Sequence, residues 1–334
     1  MLLEQNYENR FRMSKQLIEK IKDVKAKKNA TILAHYYEDG DIQDIADFVG
    51  DSYYLAQKGQ ASNSPLILLA GVVFMAESVK LLNPTKKVIV PTLEAGCSLV
   101  TESPYNDYLA WRKLHPNALA VTYINSSAAV KSISDVIVTS SNAAKIIESI
   151  PKDRQILFGP DQNLGRYFNK KLNRQMILWP GACEVHVLFS SKKLFEMIQE
   201  NPEAIVIAHP ECDPAILQYA QVVGSTSRLL EEVQNNPAKK FIVATETGIL
   251  HQMYKSRPDV VLLQAPVEGS CGCNDCPFMK LNNLENLLHA LETETPEINL
   301  TQNLLEKSVI SLDRMMAIAS GQTVNWPDQF SEPK

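Results

Sequence analysis

The chain has 334 residues and a formal charge of −5, long enough for two or three domains and a large core. That charge offers no basic patch for a phosphate backbone, which argues against nucleic acid as a partner. The longest apolar stretch, 66–76, is too short to span a bilayer, and the first residues lack the pattern of a signal peptide, so a cytoplasmic protein free of the membrane is expected.

The first predicted element is a helix whose apolar side carries Leu17, Ile18, Ile21 and Val24, with the lysines between Lys20 and Lys28 on its solvated face. An apolar run over 31–35 follows, ending in His35. Ile42, Ile45, Ala46 and Val49 then fall at i, i+3, i+4 and i+7, a helical stripe. The segment 47–52 closes on Ser52, a third run ends at Gly71, and a helix over 74–82 stops at Asn83-Pro84. A fourth run ends at Pro91, and Cys97 comes soon after.

The same series is written twice more. Runs ending at Tyr123 and His209 match the one ending at His35; 135–140 and 221–226 match 47–52; runs ending at Gly159 and Thr245 match Gly71. Further runs end at Pro180 and Pro266, each followed by cysteine: Cys183, then the trio Cys271, Cys273 and Cys276. The period is longer than the roughly 20–50 residues of solenoid repeats. Strand-helix alternation within each copy indicates parallel βαβ units with right-handed crossovers. The expected fold is therefore α/β: three pseudo-threefold-related three-layer αβα domains, each with a small parallel four-stranded sheet. Their expected bounds are 1–100 with the N-terminal helix, 101–187, and 188–320 with the C-terminal helices, leaving a tail over 321–334. No Gly-rich phosphate loop is present, and the segment 161–165 reads as a turn.

Ligands of parallel sheets lie beyond the carboxyl ends of the strands, beside helix N-termini. His35 and Tyr37 end the first strand there, Ser52 ends the second, and Cys97 follows the fourth. In register, His35 corresponds to Tyr123 and His209, and Tyr37 to Asn125 and Glu211. Glu211, at a strand end where an unpaired carboxylate is costly, is the first candidate for a general base. Ser52, Ser140, Ser225 and Thr226 read as helix N-caps or as an anion cradle. His115, His186, His251 and His289 have no counterparts and read as structural, with His186 nearest a matched cysteine.

Six cysteines in a cytosolic chain suggest metal or redox chemistry rather than a disulfide framework. A matched triple of thiolates would hold one soft metal centre, either zinc or an iron-sulfur cluster. Structural zinc wants four ligands, whereas a cluster on three thiolates leaves one iron open as a Lewis acid. Strict register from Cys183 points to Cys271 as the third ligand, and 271–276 taken alone would form a zinc or redox knuckle.

His35-Tyr36-Tyr37, 44–52, Phe74-Met75-Ala76-Glu77, Tyr123-Ile124-Asn125-Ser126, Phe158-Gly159-Pro160-Asp161, His209-Pro210-Glu211-Cys212, Val223-Gly224-Ser225-Thr226 and Thr245-Glu246 together resemble the quinolinate synthase family, the A protein of NAD biosynthesis. The resemblance runs from about residue 30 to Leu291. It implies one [4Fe-4S] cluster per chain on Cys97, Cys183 and Cys276, and condensation of iminoaspartate with dihydroxyacetone phosphate to quinolinate, with loss of phosphate and two waters. It implies that His35, Ser52, Tyr123, Ile124, Asn125, Ser140, His209, Pro210, Glu211 and Thr226, with Ser225 beside it, line the iminoaspartate site, while Tyr37 assists at the triose phosphate. A functional link to an aspartate-oxidising enzyme is implied as well. The spacing of Cys271, Cys273 and Cys276 departs from the even spacing of some relatives, which puts any redox switch of that motif in doubt here. The alternative class is an iron-sulfur hydro-lyase acting on a small hydroxy acid.

Overall fold

The computed structural model describes residues 2–269 and 274–332, with side chains from Ser14 onward; Cys271 and Cys273, with the knuckle they would form, lie outside the described residues. Two compact units divide the chain: 1–96 with 277–299, and 97–276 with 300–334.

The first unit runs α1 (Leu2–Lys28), β1 (Ala30–His35), α2 (Gly40–Ile45), β2 (Phe48–Gly50), α3 (Ser52–Ala61), β3 (Leu66–Ala70), α4 (Val73–Leu82) and β4 (Lys87–Ile89). Its four strands are parallel in the order β2-β1-β3-β4, the sheet expected of one repeat. Alternate residues take opposite faces. Ile32, Ala34, Leu66, Leu68 and Ala70 share a buried cluster with Ile21 of the first helix, against which Leu17, Ile18 and Val24 also pack. On the other face Leu33 meets Gly59 of α3, where a Cβ would stand 3.0 Å from Val79 of α4, so the glycine permits the close approach. The stripe at 42–49 is helical only as far as Ile45; Ala46 turns to extended backbone and Val49 belongs to β2. The break follows from Asp47, whose carboxylate accepts the Ile32 N–H at 2.8 Å and whose own N–H donates to the Ile32 carbonyl at 2.9 Å, starting the second strand.

The second unit begins with α5 (Ser98–Thr101) and α6 (Tyr105–Leu114), then β5 (Leu119–Tyr123), α7 (Ala128–Ser132), β6 (Val136–Val138), α8 (Ala143–Ser149), β7 (Ile156–Gly159), α9 (Gln162–Leu172) and β8 (Ile177–Leu178). It continues with α10 (Ser191–Glu200), β9 (Ile205–Ala208), α11 (Pro214–Leu217), β10 (Val222–Val223), α12 (Thr226–Asn235), β11 (Lys240–Ala244), α13 (Ile249–Ser256) and β12 (Val261–Gln264). Both sheets are parallel and repeat the first topology, as β6-β5-β7-β8 and β10-β9-β11-β12.

The clamp of Asp47 recurs in both. Asp135 accepts the Ala120 N–H at 2.7 Å, and Gln221 accepts that of Val206 at 2.6 Å. The first polar residue of each repeated segment is thus structural: it pairs a backbone donor that the short second strand leaves over. Asp135 also pairs with Arg112, a wholly buried guanidinium.

Two helices close the chain. α14 (Leu284–Thr293) belongs to the first unit, where Leu284, Leu287, Leu288 and Leu291 complete the cluster around Ile32. α15 (Gln302–Ala319) belongs to the second, where the Ser308 and Ser311 hydroxyls donate to the Ala128 and Lys131 carbonyls at 2.7 and 3.0 Å. The segment 161–165 is a helix start rather than a turn: Asp161 caps α9 by accepting the Leu164 N–H at 2.7 Å. No helix among the described residues is long and apolar enough to cross a membrane.

Candidate active site and metal centre

In the second unit the carboxyl ends of two sheets supply one cluster of polar groups. Glu211, three residues past the end of β9 at Ala208, is 2% exposed. Its carboxylate lies 2.9 Å from His186 Nδ1 and 3.9 Å from His209 Nδ1, and the Tyr123 hydroxyl donates to it. Burial pushes the Glu211 carboxyl up, yet the two histidines and the hydrogen bonds from His186 and Tyr123 outweigh it and hold the group at about 2. Glu211 is therefore ionised at neutral pH although it is out of water.

The two imidazoles stack with ring centroids 4.7 Å apart, and their surroundings select different tautomers. Glu211 N donates to His209 Nδ1 at 3.4 Å, which leaves the His209 proton on Nε2. His186 Nδ1 faces both the Glu211 carboxylate and the Cys183 sulfur, the latter at 3.2 Å, and so carries its proton there; Nε2 accepts from the Thr245 hydroxyl at 3.0 Å. His186 was read from sequence as structural. The signal for its place was its spacing, three residues after Cys183, across a turn closed by the Val187 N–H on the Cys183 carbonyl at 3.2 Å, ahead of the one-turn helix His186–Leu188.

Cys97, Cys183 and Cys276 are half-buried, and none is in a disulfide among the described residues. Burial pushes the Cys97 thiol up to about 12; the Val100 and Leu99 N–H groups lower it, while Cys276 and Glu211 raise it further. Cys183 is pushed well up by burial, by Glu211 and by Cys97. The three thiols are close enough for one thiolate to disfavour the next, so the ionised set needs a cation among them, and three soft donors fit an iron-sulfur centre. Cys183, His186 and Glu211 also offer ligand atoms within 4.8 Å of one another, a geometry able to hold a single ion. Cys212 takes no part: it is fully buried in the third repeat's core, its thiol 3.3 Å from the Ala244 carbonyl.

Other groups around this cluster are not among the site residues expected from sequence. Asp161 is fully buried, its carboxyl raised by burial and by Glu211 against the N–H groups of Leu164, Cys183 and Asn163. Asn163 Nδ2 donates to the Glu211 carbonyl at 3.2 Å. Of the sequence-predicted residues in this unit, Tyr123, Ile124, Pro210 and Thr226 are buried, while Asn125 and Ser140 are half-buried. Among the four hydroxyls expected as N-caps, Ser225 is one, accepting the Arg228 N–H at 3.3 Å. Thr226 is instead the first residue of its helix, and Asn142 rather than Ser140 stands at the start of α8.

His35, Tyr37 and Ser52 lie in the first unit. His35 ends β1, is 6% exposed, and accepts the Tyr37 N–H on Nδ1 at 3.2 Å, the arrangement His209 makes with Glu211. The rings of His35 and Tyr37 meet edge-on at 4.5 Å. Asp51, not Ser52, caps α3, because its carboxylate reaches the Tyr54 N–H at 2.9 Å.

The family model described as quinolinate synthetase A protein matches residues 19–317. Quinolinate synthase of Nostoc punctiforme is 48% identical over 299 residues, covering 90% of this chain and 92% of the relative. That of Prochlorococcus marinus is 48% identical over 302 residues, 90% and 91% of the two chains, and that of Cyanophora paradoxa 48% over 306 residues, 92% and 93%. With a family match spanning the twelve strands of the described residues and every member of the Glu211 cluster, the chain belongs to the quinolinate synthase family.

Proposed function

We propose that the protein is a cytoplasmic transferase that condenses iminoaspartate with dihydroxyacetone phosphate and dehydrates the product to quinolinate, releasing phosphate and two waters. The observation that carries this reading is the convergence of Glu211, His186, His209 and Tyr123 beside Cys183 in a chain of this family. Cys97, Cys183 and Cys276 would hold a [4Fe-4S] cluster; bound by three cysteines, it supplies one open iron as a Lewis acid toward a substrate oxygen or nitrogen.

The chain's own residues do the rest. Condensation and two dehydrations move protons, and Glu211 is the ionised acceptor placed for them. A carboxylate held this low is a weak base, so it keeps a proton only briefly. It can pass the proton on to a departing hydroxyl, while His186, whose Nδ1–H faces the carboxylate at 2.9 Å, holds that carboxylate in place. His209, with its proton on Nε2, is placed to donate. The first turn of α12, with Ser225 and Thr226 buried at its start, presents N–H groups suited to a carboxylate or phosphate. Ile124 and Pro210 exclude water around these groups, and Asn125 and Ser140 offer further hydrogen bonds. His35, Tyr37 and Ser52 enter by the matching of His35 with His209 in the repeat, not by distance.

Anaerobic purification followed by iron and sulfide analysis, with quinolinate measured from the two substrates, tests the proposal. About four irons per chain and turnover are expected. Active protein holding one zinc and no iron would instead favour the second reading that the geometry allows, a lone ion on Cys183, His186 and Glu211.

A further inference from the structure

Two of the three proposed ligand cysteines are held by the same device, and neither instance was visible in the repeat because the residues differ. In the second repeat, β7 ends at Gly159 and Asp161 stands two residues beyond; in the third, β11 ends at Ala244 and Glu246 stands two residues beyond. Both carboxyl groups are fully buried. Each divides its oxygens in the same way. One oxygen holds the start of the next helix: Asp161 Oδ1 accepts Leu164 N at 2.7 Å, and Glu246 Oε2 accepts Gly248 N at 2.6 Å. The other accepts the backbone N–H of the cysteine of its own repeat: Asp161 Oδ2 takes Cys183 N at 3.0 Å, and Glu246 Oε1 takes Cys276 N at 3.1 Å.

A helix cap needs only the first of these bonds. The second bond reaches across 22 residues to Cys183 in one case and 30 to Cys276 in the other, and lands on the cysteine itself. Supporting bonds point the same way. Asn274, 1% exposed, donates to the Val185 carbonyl at 2.9 Å, and Thr247 bonds Asp275, so the two residues before Cys276 are tied down as well. The first repeat has apolar Val72 at the equivalent place, and Cys97 is fixed differently, as the residue at the start of α5 whose carbonyl accepts the Val100 and Thr101 N–H groups, both at 3.1 Å.

Building on the cluster reading above, we infer that Asp161 and Glu246 are positioning residues: each clasps the amide of one ligand cysteine to the end of the third strand of its sheet. A clasp of this kind fixes the sulfur before any metal arrives. It also resists loss of the cysteine afterwards, and partners of this sort are worth about 10- to 100-fold in metal retention.

The test uses full-length protein purified anaerobically, with the isosteric variants Asp161→Asn and Glu246→Gln. Amide hydrogen exchange, read at single residues by mass spectrometry, should quicken about 10-fold or more at Cys183 in the first variant and at Cys276 in the second, each leaving the other cysteine unchanged. Iron should pass to a ferrous chelator about 10- to 100-fold faster than from the wild type. The reduction potential of the cluster should rise in Glu246→Gln, as a buried negative charge is lost beside a ligand, which a purely structural role would not produce. Unchanged exchange and iron retention in both variants would overturn the inference. Should a variant fail to fold, the wild-type protein decides: slow exchange at both cysteine amides upholds the clasps, and fast exchange refutes them. Because exchange is read on the amides, it judges the clasps even in protein that holds zinc, so the cluster reading stands or falls separately on the iron and sulfide count.

Discussion

The repeats agree at one edge of their sheets and diverge at the other. Where the second strand begins, Asp47, Asp135 and Gln221 each accept one N–H from the first strand, with near-identical geometry in all three sheets. At the carboxyl edge the backbone is again alike, since Tyr37 N and Glu211 N both bond the Nδ1 of a histidine two residues earlier. What that backbone delivers, however, is a phenol in one repeat and a carboxylate in the other. The first edge must satisfy a buried donor in every copy and has one cheap solution. The second edge is under no such constraint, so each copy is free to carry different chemistry on the same scaffold.

Substitutions that separate folding from turnover would break this contrast or sharpen it. The largest effect is expected for Glu211→Gln, which keeps the shape and should lower kcat by about 10²- to 10⁴-fold while iron content holds; a rate within a few-fold of wild type at saturating substrates would remove Glu211 from the chemistry. At the opposite edge, Asp135→Ala strands the fully buried Arg112, a loss of about 3–5 kcal/mol read by urea unfolding, with kcat of the folded fraction unchanged. His35→Asn and His209→Asn retain an acceptor for the i+2 amide but lose the Nε2 proton. Each is expected to cost up to about 10² in kcat with little change in stability. Equal loss in both would extend the matching from geometry to function, and a silent His35 would end it. Asp47→Ala and Gln221→Ala each give up a backbone partner, about 1 kcal/mol, and Asp47→Ala also frees Lys25, 2.6 Å away and part-exposed, to turn to water.

A further effect is in acid. Glu211 is held at about 2 against an ordinary 4.5, so the stability it contributes is present above pH 4.5 and is lost as pH falls toward 2. Asp161 is shifted upward and opposes it: folding is penalised above its ordinary 3.8, and the penalty lifts as pH falls. Urea midpoints followed downward from about pH 5 should therefore fall less steeply in Glu211→Gln and more steeply in Asp161→Asn than in the wild type.

Much of this was legible in the sequence because it is periodic. Strand ends at His35, Tyr123 and the residue before His209 follow from apolar runs at constant spacing, and Glu211 stands out as a carboxylate at a strand end. His186 was not legible: it has no counterpart in the other copies, and its role comes from one turn after Cys183. Asp161 and Glu246 differ in type and match nothing by identity, although they share a position relative to their strands. The stripe at 42–49 misled for a physical reason, since Asp47 pairs with Ile32 and forces extended backbone where side-chain periodicity alone would continue the helix.

One consequence concerns how the chain is made. The cluster beneath the first sheet joins Ile32, Ala34 and Leu68 to Leu284, Leu287, Leu288 and Leu291 of α14, so that face has no complete cover until nearly the whole polypeptide has left the ribosome. Synthesis proceeds from the N-terminus, and domains generally fold as they emerge. Here the first sheet to be translated is obliged to finish late, as is the second, whose α7 waits for Ser308 and Ser311 of α15, while the third closes on elements contiguous in sequence. The apolar face of the first sheet needs shielding in the nascent chain, and a chain terminated before α14 would leave it bare for good.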